Sequence, residues 1–197
     1  MKTATSILAL AAIAFASPAI AKTEKAPQPK PTAQDAQKFI ADTEQKAAEF
    51  NIDASRVYWV NSTYITDDTD ALAAKVGAEG TEMSVDAALE AAKFKGVSGL
   101  SQDATRKLNK LRGGIVLPAP TTDGAATELN EIATKLNSAY GKGKGTLNGK
   151  EVNGSDIEAA MGTNRNPAEL EEMWASWHNN VGAPMKGDYA RMVEIAN

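Results

Sequence analysis

The chain has 197 residues, 25 acidic against 21 basic side chains, a single histidine and no cysteine. The length suits one domain of ordinary size or a piece of a larger one. Without cysteine there are no disulfides, thiol nucleophiles or thiolate metal ligands, and a mildly acidic balance with no dense basic patch speaks against a nucleic-acid partner.

The first residues read as an export address. Lys2 supplies a positive start, Ile7 to Phe15 is a short apolar run, and Ala19-Ile20-Ala21 has the small-x-small form of a cleavage site. The run is too short to cross a bilayer as an ordinary helix, and charged residues follow it from Lys22. Residues 1–21 are therefore expected to be a signal peptide. The mature chain is expected to be periplasmic or secreted, with no membrane attachment. Residues 22–31 (KTEKAPQPKP) form a proline- and charge-rich linker. Residues 32–197 read as all-α, with little or no β structure.

Ala36, Phe39, Ile40, Thr43 and Ala47 set a first amphipathic helix. A second region, residues 55–76, holds the aromatic cluster Tyr58, Trp59 and Tyr64. Thr66 before Asp67 and Asp68 predicts an N-cap with an acidic first turn. Ser84 is expected to cap a further helix with Val85, Ala88, Leu89 and Ala92 inward, stopped by Gly96. Ser101 opens another, with Leu108 and Leu111 inward and Gly113-Gly114 after it. Leu117-Pro118-Ala119-Pro120 is a rigid break.

Leu129, Ile132, Ala133, Leu136 and Tyr140 then repeat with a helical period. Residues 141–154 are rich in glycine and lysine, a loop or a small hairpin around Thr146 to Val152. At Asn166-Pro167 a cap, a proline at the first helical position and Glu169 at the third announce a helix, close to a capping box. Its stripe is Leu170, Met173, Trp174, Trp177 and Val181, with His178 at the edge. The last stretch, residues 188–197, is again helical, with Tyr189, Met192, Val193 and Ala196 on one face.

Little catalytic chemistry is encoded here. A catalytic zinc site needs three protein ligands from His, Cys, Asp and Glu, and the chain has one histidine and no HExxH. No catalytic or metal-ligating residues are assigned within it. The elbow G-x-S-x-G is absent. Residues 141–146 (GKGKGT) look like a phosphate cradle but lack P-loop spacing, and read as a flexible loop. Asp67-Asp68 and Glu171-Glu172 read as solvated helix faces. Asn61-Ser62-Thr63 fits the N-glycosylation pattern, which such a short motif meets by chance. His178 reads first as a packed or solvent-touching side chain, with a role at a site as the alternative.

Several stretches in order, from about residue 35 to the C-terminus, resemble the N-terminal part of the angiotensin-converting enzyme family, the zinc peptidyl-dipeptidases. They are Trp59-Val60-Asn61-Ser62-Thr63-Tyr64-Ile65-Thr66; Leu117-Pro118-Ala119-Pro120 with Glu128-Leu129-Asn130 and Tyr140; Met161-Gly162-Thr163-Asn164-Arg165 with Glu169-Leu170 and Trp174-Ala175-Ser176-Trp177; and Gly182 with Tyr189 to Asn197 (YARMVEIAN). The resemblance implies that residues 32–197 are the lid and flanking helices of a longer, mostly helical zinc peptidase. That enzyme would release dipeptides from peptide C-termini. The chain's partners would then be peptide substrates and the missing C-terminal part of its own domain. Zinc would polarise the scissile carbonyl and activate a water in the whole enzyme, with a glutamate of HExxH as base. None of those residues is here.

Three departures qualify the likeness. The loop of residues 141–154 lacks the cysteine pair of many animal members. Residues 58–62 differ from the family's asparagine-rich version, so cleft contacts do not carry over. The family's arginine after the second tryptophan of W-x-x-W helps hold a chloride ion, and here that anion-site position is His178. A neutral imidazole is a poorer anion ligand than guanidinium, which argues against chloride activation. The alternative from another class is a self-contained exported helical binding module that uses the Trp174/Trp177 face.

Overall fold

The computed structural model describes residues 30–197. The expected signal peptide and nearly all of the expected linker lie outside the described residues. α1 (Ala33–Thr63) begins with a reciprocal cap. Asp35 N donates to Thr32 Oγ1 at 3.2 Å, and Thr32 N donates to the Asp35 carboxylate at 2.8 Å. That second bond and the Thr32 hydroxyl hold the Asp35 carboxyl below the usual carboxylate range. Ala36 and Ile40 are buried, as the spacing predicts. The helix does not stop near residue 55. The stretch with Tyr58 and Trp59 continues it, so α1 is roughly 46 Å long at 1.5 Å per residue.

Thr66 caps α2 (Asp67–Ala92), which runs antiparallel to α1 and pairs its cap with Thr69. The expected second cap at Ser84 is a correction. Ser84 sits inside α2, and its hydroxyl donates back to Gly80 O at 2.7 Å. Gly77 and Gly80, a turn or two before it, do not interrupt the helix. Both are packing glycines: a Cβ at Gly80 would lie 3.1 Å from the Phe50 ring, and one at Gly77 would strike Asn130. Leu89, expected inward, is exposed.

A turn through Gly96 and Gly99, both at positive φ, leads to α3 (Gln102–Gly113), capped by Ser101. The three helices close around Ala36, Ile40, Ala91, Phe94, Ala104 and Leu108, with Phe39 stacked on Phe94 at 5.4 Å between centroids. Residues 115–120 run across to α4 (Ala125–Lys142) and bury Ala119 on the way. α4 packs along α2. A second core joins Ala78, Ala119, Ala126 and Leu129 to Ile195.

After α4 comes a hairpin, β1 (Lys144–Leu147) with β2 (Lys150–Asn153), in antiparallel register from Lys144↔Asn153 to Leu147↔Lys150. Its turn is Asn148-Gly149, at φ 53° and 72°, the left-handed pair that a two-residue hairpin loop requires. The GKGKGT stretch is thus a helix end and a strand, rather than a flexible loop.

α5 (Gly154–Thr163), capped by Asn153, is a helix the sequence reading passed over. α6 (Pro167–Trp177) leads through a π turn (His178–Gly182) directly into α7 (Ala183–Ala196). α7 lies on α4, where Arg191 forks onto Glu128 at 2.7 and 3.1 Å. Its inward residues are Met192 and Ile195. Tyr189 and Val193, expected on one face with Met192, are exposed instead. The described residues are all-α apart from the hairpin.

Candidate functional surface

α6 starts as its sequence predicts, with a variation. Asn166 Oδ1 accepts from Ala168 N at 3.1 Å. Glu169 does not reach the cap backbone. Its carboxylate accepts from the side-chain amides of Asn166 at 3.0 Å and Asn164 at 2.6 Å, while Asn166 N donates to Asn164 Oδ1. This knot fixes the direction in which α6 leaves the 164–166 turn.

The predicted apolar stripe divides. Met173 and Val181 are buried. Trp177 packs edge-on against Tyr140, with centroids 5.5 Å apart, and lies where a Cβ on Gly154 would meet its ring at 2.7 Å. Ser176 Oγ accepts from Thr146 N at 2.9 Å and donates to Met173 O at 3.0 Å, which pins β1 to α6. The hairpin and α5 are therefore the cover for this side of α6. Trp174 points elsewhere and is 55% exposed. The proposed Trp174/Trp177 face is not one surface.

Trp174 stacks on His178, with ring centroids 4.0 Å apart. His178 Nδ1 lies 2.8 Å from Trp174 O. A carbonyl only accepts, so Nδ1 carries the proton in this bond. In the neutral ring Nε2 is then a bare lone pair, which repels an anion.

A second aromatic group sits at the end of α1. Trp59 is 71% exposed, and Tyr64 at the helix end is exposed too. Tyr58 turns toward α2, and burial raises its phenol above the ordinary range. A polar network anchors this end. Asn61 Nδ2 donates to Asp70 Oδ1 at 2.7 Å, and Lys142 of α4 stands 3.6 Å from Asp70 Oδ2. Burial works to raise the Asp70 carboxyl, but hydrogen bonds from Ser138 and Asn61 and the Lys142 charge outweigh it and hold the group below its usual range. With its amide committed here, Asn61 is a structural residue. Asn61 stood in the sequence only as part of a short glycosylation-like pattern and of the stretch Trp59 to Thr66, neither of which points to Asp70. The long-range partners Ser138 and Lys142 carried no signal of this contact.

Zinc does not fit the residues present. Among the described residues no three His, Cys, Asp or Glu side chains converge, and the sequence has no HExxH. No described helix is long and apolar enough to cross a membrane.

Long antiparallel helices that expose aromatic side chains define a helical scaffold. The profile of the angiotensin-converting enzyme peptidase family matches residues 30–197, and the chain belongs to that family. A curated relative, the angiotensin-converting enzyme of Haematobia irritans exigua, is 23% identical over 165 residues. The match covers 81% of this chain and 27% of the relative, so the chain spans about a quarter of that protein's length.

Proposed function

We propose that residues 32–197 are the N-terminal helical part of an exported zinc peptidyl-dipeptidase, preceded by a signal peptide at residues 1–21 and a linker at residues 22–31. The match over residues 30–197 carries this reading. In it α1, α2 and α3 form a lid over the cleft that receives peptide C-termini, and the zinc with its ligands belongs to the remainder of the domain. The rigidity of the α1–α2 pair, with caps at both starts and a polar anchor at Asn61–Asp70, suits a wall that orients substrate without touching the scissile bond.

The test is release of a dipeptide from an N-blocked tripeptide. The whole protein is expected to release it in a zinc-dependent way, and the 197-residue chain alone is expected not to. Zinc-dependent hydrolysis by the short chain would overturn the proposal. With a lone pair at Nε2 of His178, the whole enzyme is also expected to be insensitive to chloride at pH 8.5. His178→Arg is expected to introduce chloride sensitivity. A chloride requirement in the unaltered enzyme at that pH refutes this part.

A further inference from the structure

α6, the π turn and α7 make one unbroken helical rod from Pro167 to Ala196. The π turn closes with Ala183 N donating to His178 O, five residues back. Such a turn holds one residue more than an α-turn. Everything beyond it is set back by about 100°, one residue's rotation. Trp174 and Tyr189 are fifteen positions apart; discounting the extra residue leaves about fourteen, close to four turns. Trp174 and Val193 are nineteen apart; the corrected spacing is about eighteen, or five turns.

The π turn therefore brings Trp174, His178, Tyr189 and Val193 into line on one side of the rod. Without it, Tyr189 and Val193 would be rotated by about 60° and about 100° from Trp174. The same correction keeps Met173 and Met192 on the other, packed side. All four members of the outer line are exposed or partly so, with Tyr189 at 59%. A rod apolar on two sides belongs between two layers. Among the described residues one layer packs on the rod: α4, α5 and the hairpin.

We infer that the Trp174–His178–Tyr189–Val193 line is the seam on which the remainder of the same domain packs. The inference rests on the functional reading above. The relative has nearly three-quarters of its length outside the match, which makes the rest of the domain the natural occupant. Trp174, Tyr189 and Val193 make the seam mainly apolar, with exposed Lys186 falling on the same line between His178 and Tyr189, so the segment it receives presents a largely apolar face with a polar group opposite Lys186.

The chain has no cysteine, so a single thiol can report on the seam. Tyr189→Cys and, separately, Trp174→Cys are made in the 197-residue chain and in the full-length protein read from its own gene. Gln102→Cys on α3 serves as an exposed control. Alkylation by iodoacetamide is followed site by site by peptide mass spectrometry, with dipeptide release measured in parallel.

In the short chain both seam thiols are expected to react as fast as the control. In the full-length protein both are expected to react at least about tenfold more slowly relative to it, as local opening of a packed face requires. Equal relative rates in the two proteins overturn the inference while leaving an active peptidase reading intact. Protection in the short chain that grows with concentration shows a second copy on the seam and also overturns it. A full-length protein that protects the seam but releases no dipeptide sinks the functional reading alone. A gene that stops after codon 197 sinks both.

Discussion

Replacing Gly77 by alanine sets two effects of opposite sign against each other. Gly77 lies in the middle of α2, where alanine gains about 1 kcal/mol of helix propensity. A Cβ there would strike Asn130 Oδ1, with Asn130 Cγ at 3.0 Å and the Tyr58 hydroxyl at 3.2 Å. Asn130 cannot simply swing aside. Its Nδ2 donates to Thr81 Oγ1 and to Ala126 O, both at 2.9 Å. Displacing it loses about 1 kcal/mol per bond, and overpacking between α2 and α4 costs about 1–3 kcal/mol. The cost exceeds the gain, leaving a net loss of about 2–4 kcal/mol.

For a chain of this size that lowers Tm by about 6–12 °C. Gly187 gives the opposite sign. It lies in α7 with nothing within 4 Å of a Cβ, so Gly187→Ala is expected to raise Tm by about 2 °C. Thermal unfolding followed by far-ultraviolet circular dichroism measures both. Adding Asn130→Ala to Gly77→Ala removes the clash, and the double-mutant cycle is expected to show coupling of at least about 1 kcal/mol. A Gly77→Ala chain as stable as the parent, or a cycle with no coupling, refutes the close-packing account of α2 against α4.

Leu129, 1% exposed between α2, α4 and α7, should lose about 3 kcal/mol on truncation to alanine, whereas exposed Leu72→Ala should change stability by less than about 0.5 kcal/mol; urea midpoints compare them. The Asp70 carboxyl titrates below its unfolded value in the folded chain. Its stabilisation is therefore complete above about pH 4 and is lost as pH falls through the lower, folded value. Asp70→Asn should lower Tm at pH 7 and flatten its fall between pH 5 and 2.5, and an unchanged acid limb refutes the network's role. Gly149, at φ 72°, should lose about 1–2 kcal/mol on replacement by alanine, while Asn148→Gly should be tolerated within about 0.5 kcal/mol; denaturant unfolding separates the two.

Ser84 and Ser101 show how far local signals reach. Both precede a helical pattern, yet only Ser101 is a cap. Two glycines at positive φ break the chain before Ser101. No break precedes Ser84, and the glycines there are spaces for Phe50 and Asn130, residues of other helices. The NPAELEEMWASW stretch was legible as a capped helix. Its division into a covered Trp177 and an outward Trp174 was not, because the cover comes from Gly154, Tyr140 and the hairpin.

Capping at Thr66, Ser101 and Asn166, a small hairpin around Thr146 to Val152 and the lack of an HExxH motif were legible directly in the residues. Caps and turns are made between groups a few positions apart, so their geometry is written in consecutive side chains. The outward setting of Tyr189 and Val193, the α5 helix beneath the hairpin and the Asp70–Lys142 anchor belong to the folded chain alone. Each depends on groups far apart in sequence or, for the rod, on a one-residue change of helical phase at the π turn. Periodicity reveals that a helix has an apolar side, but the direction of that side is settled only by the elements packed around it.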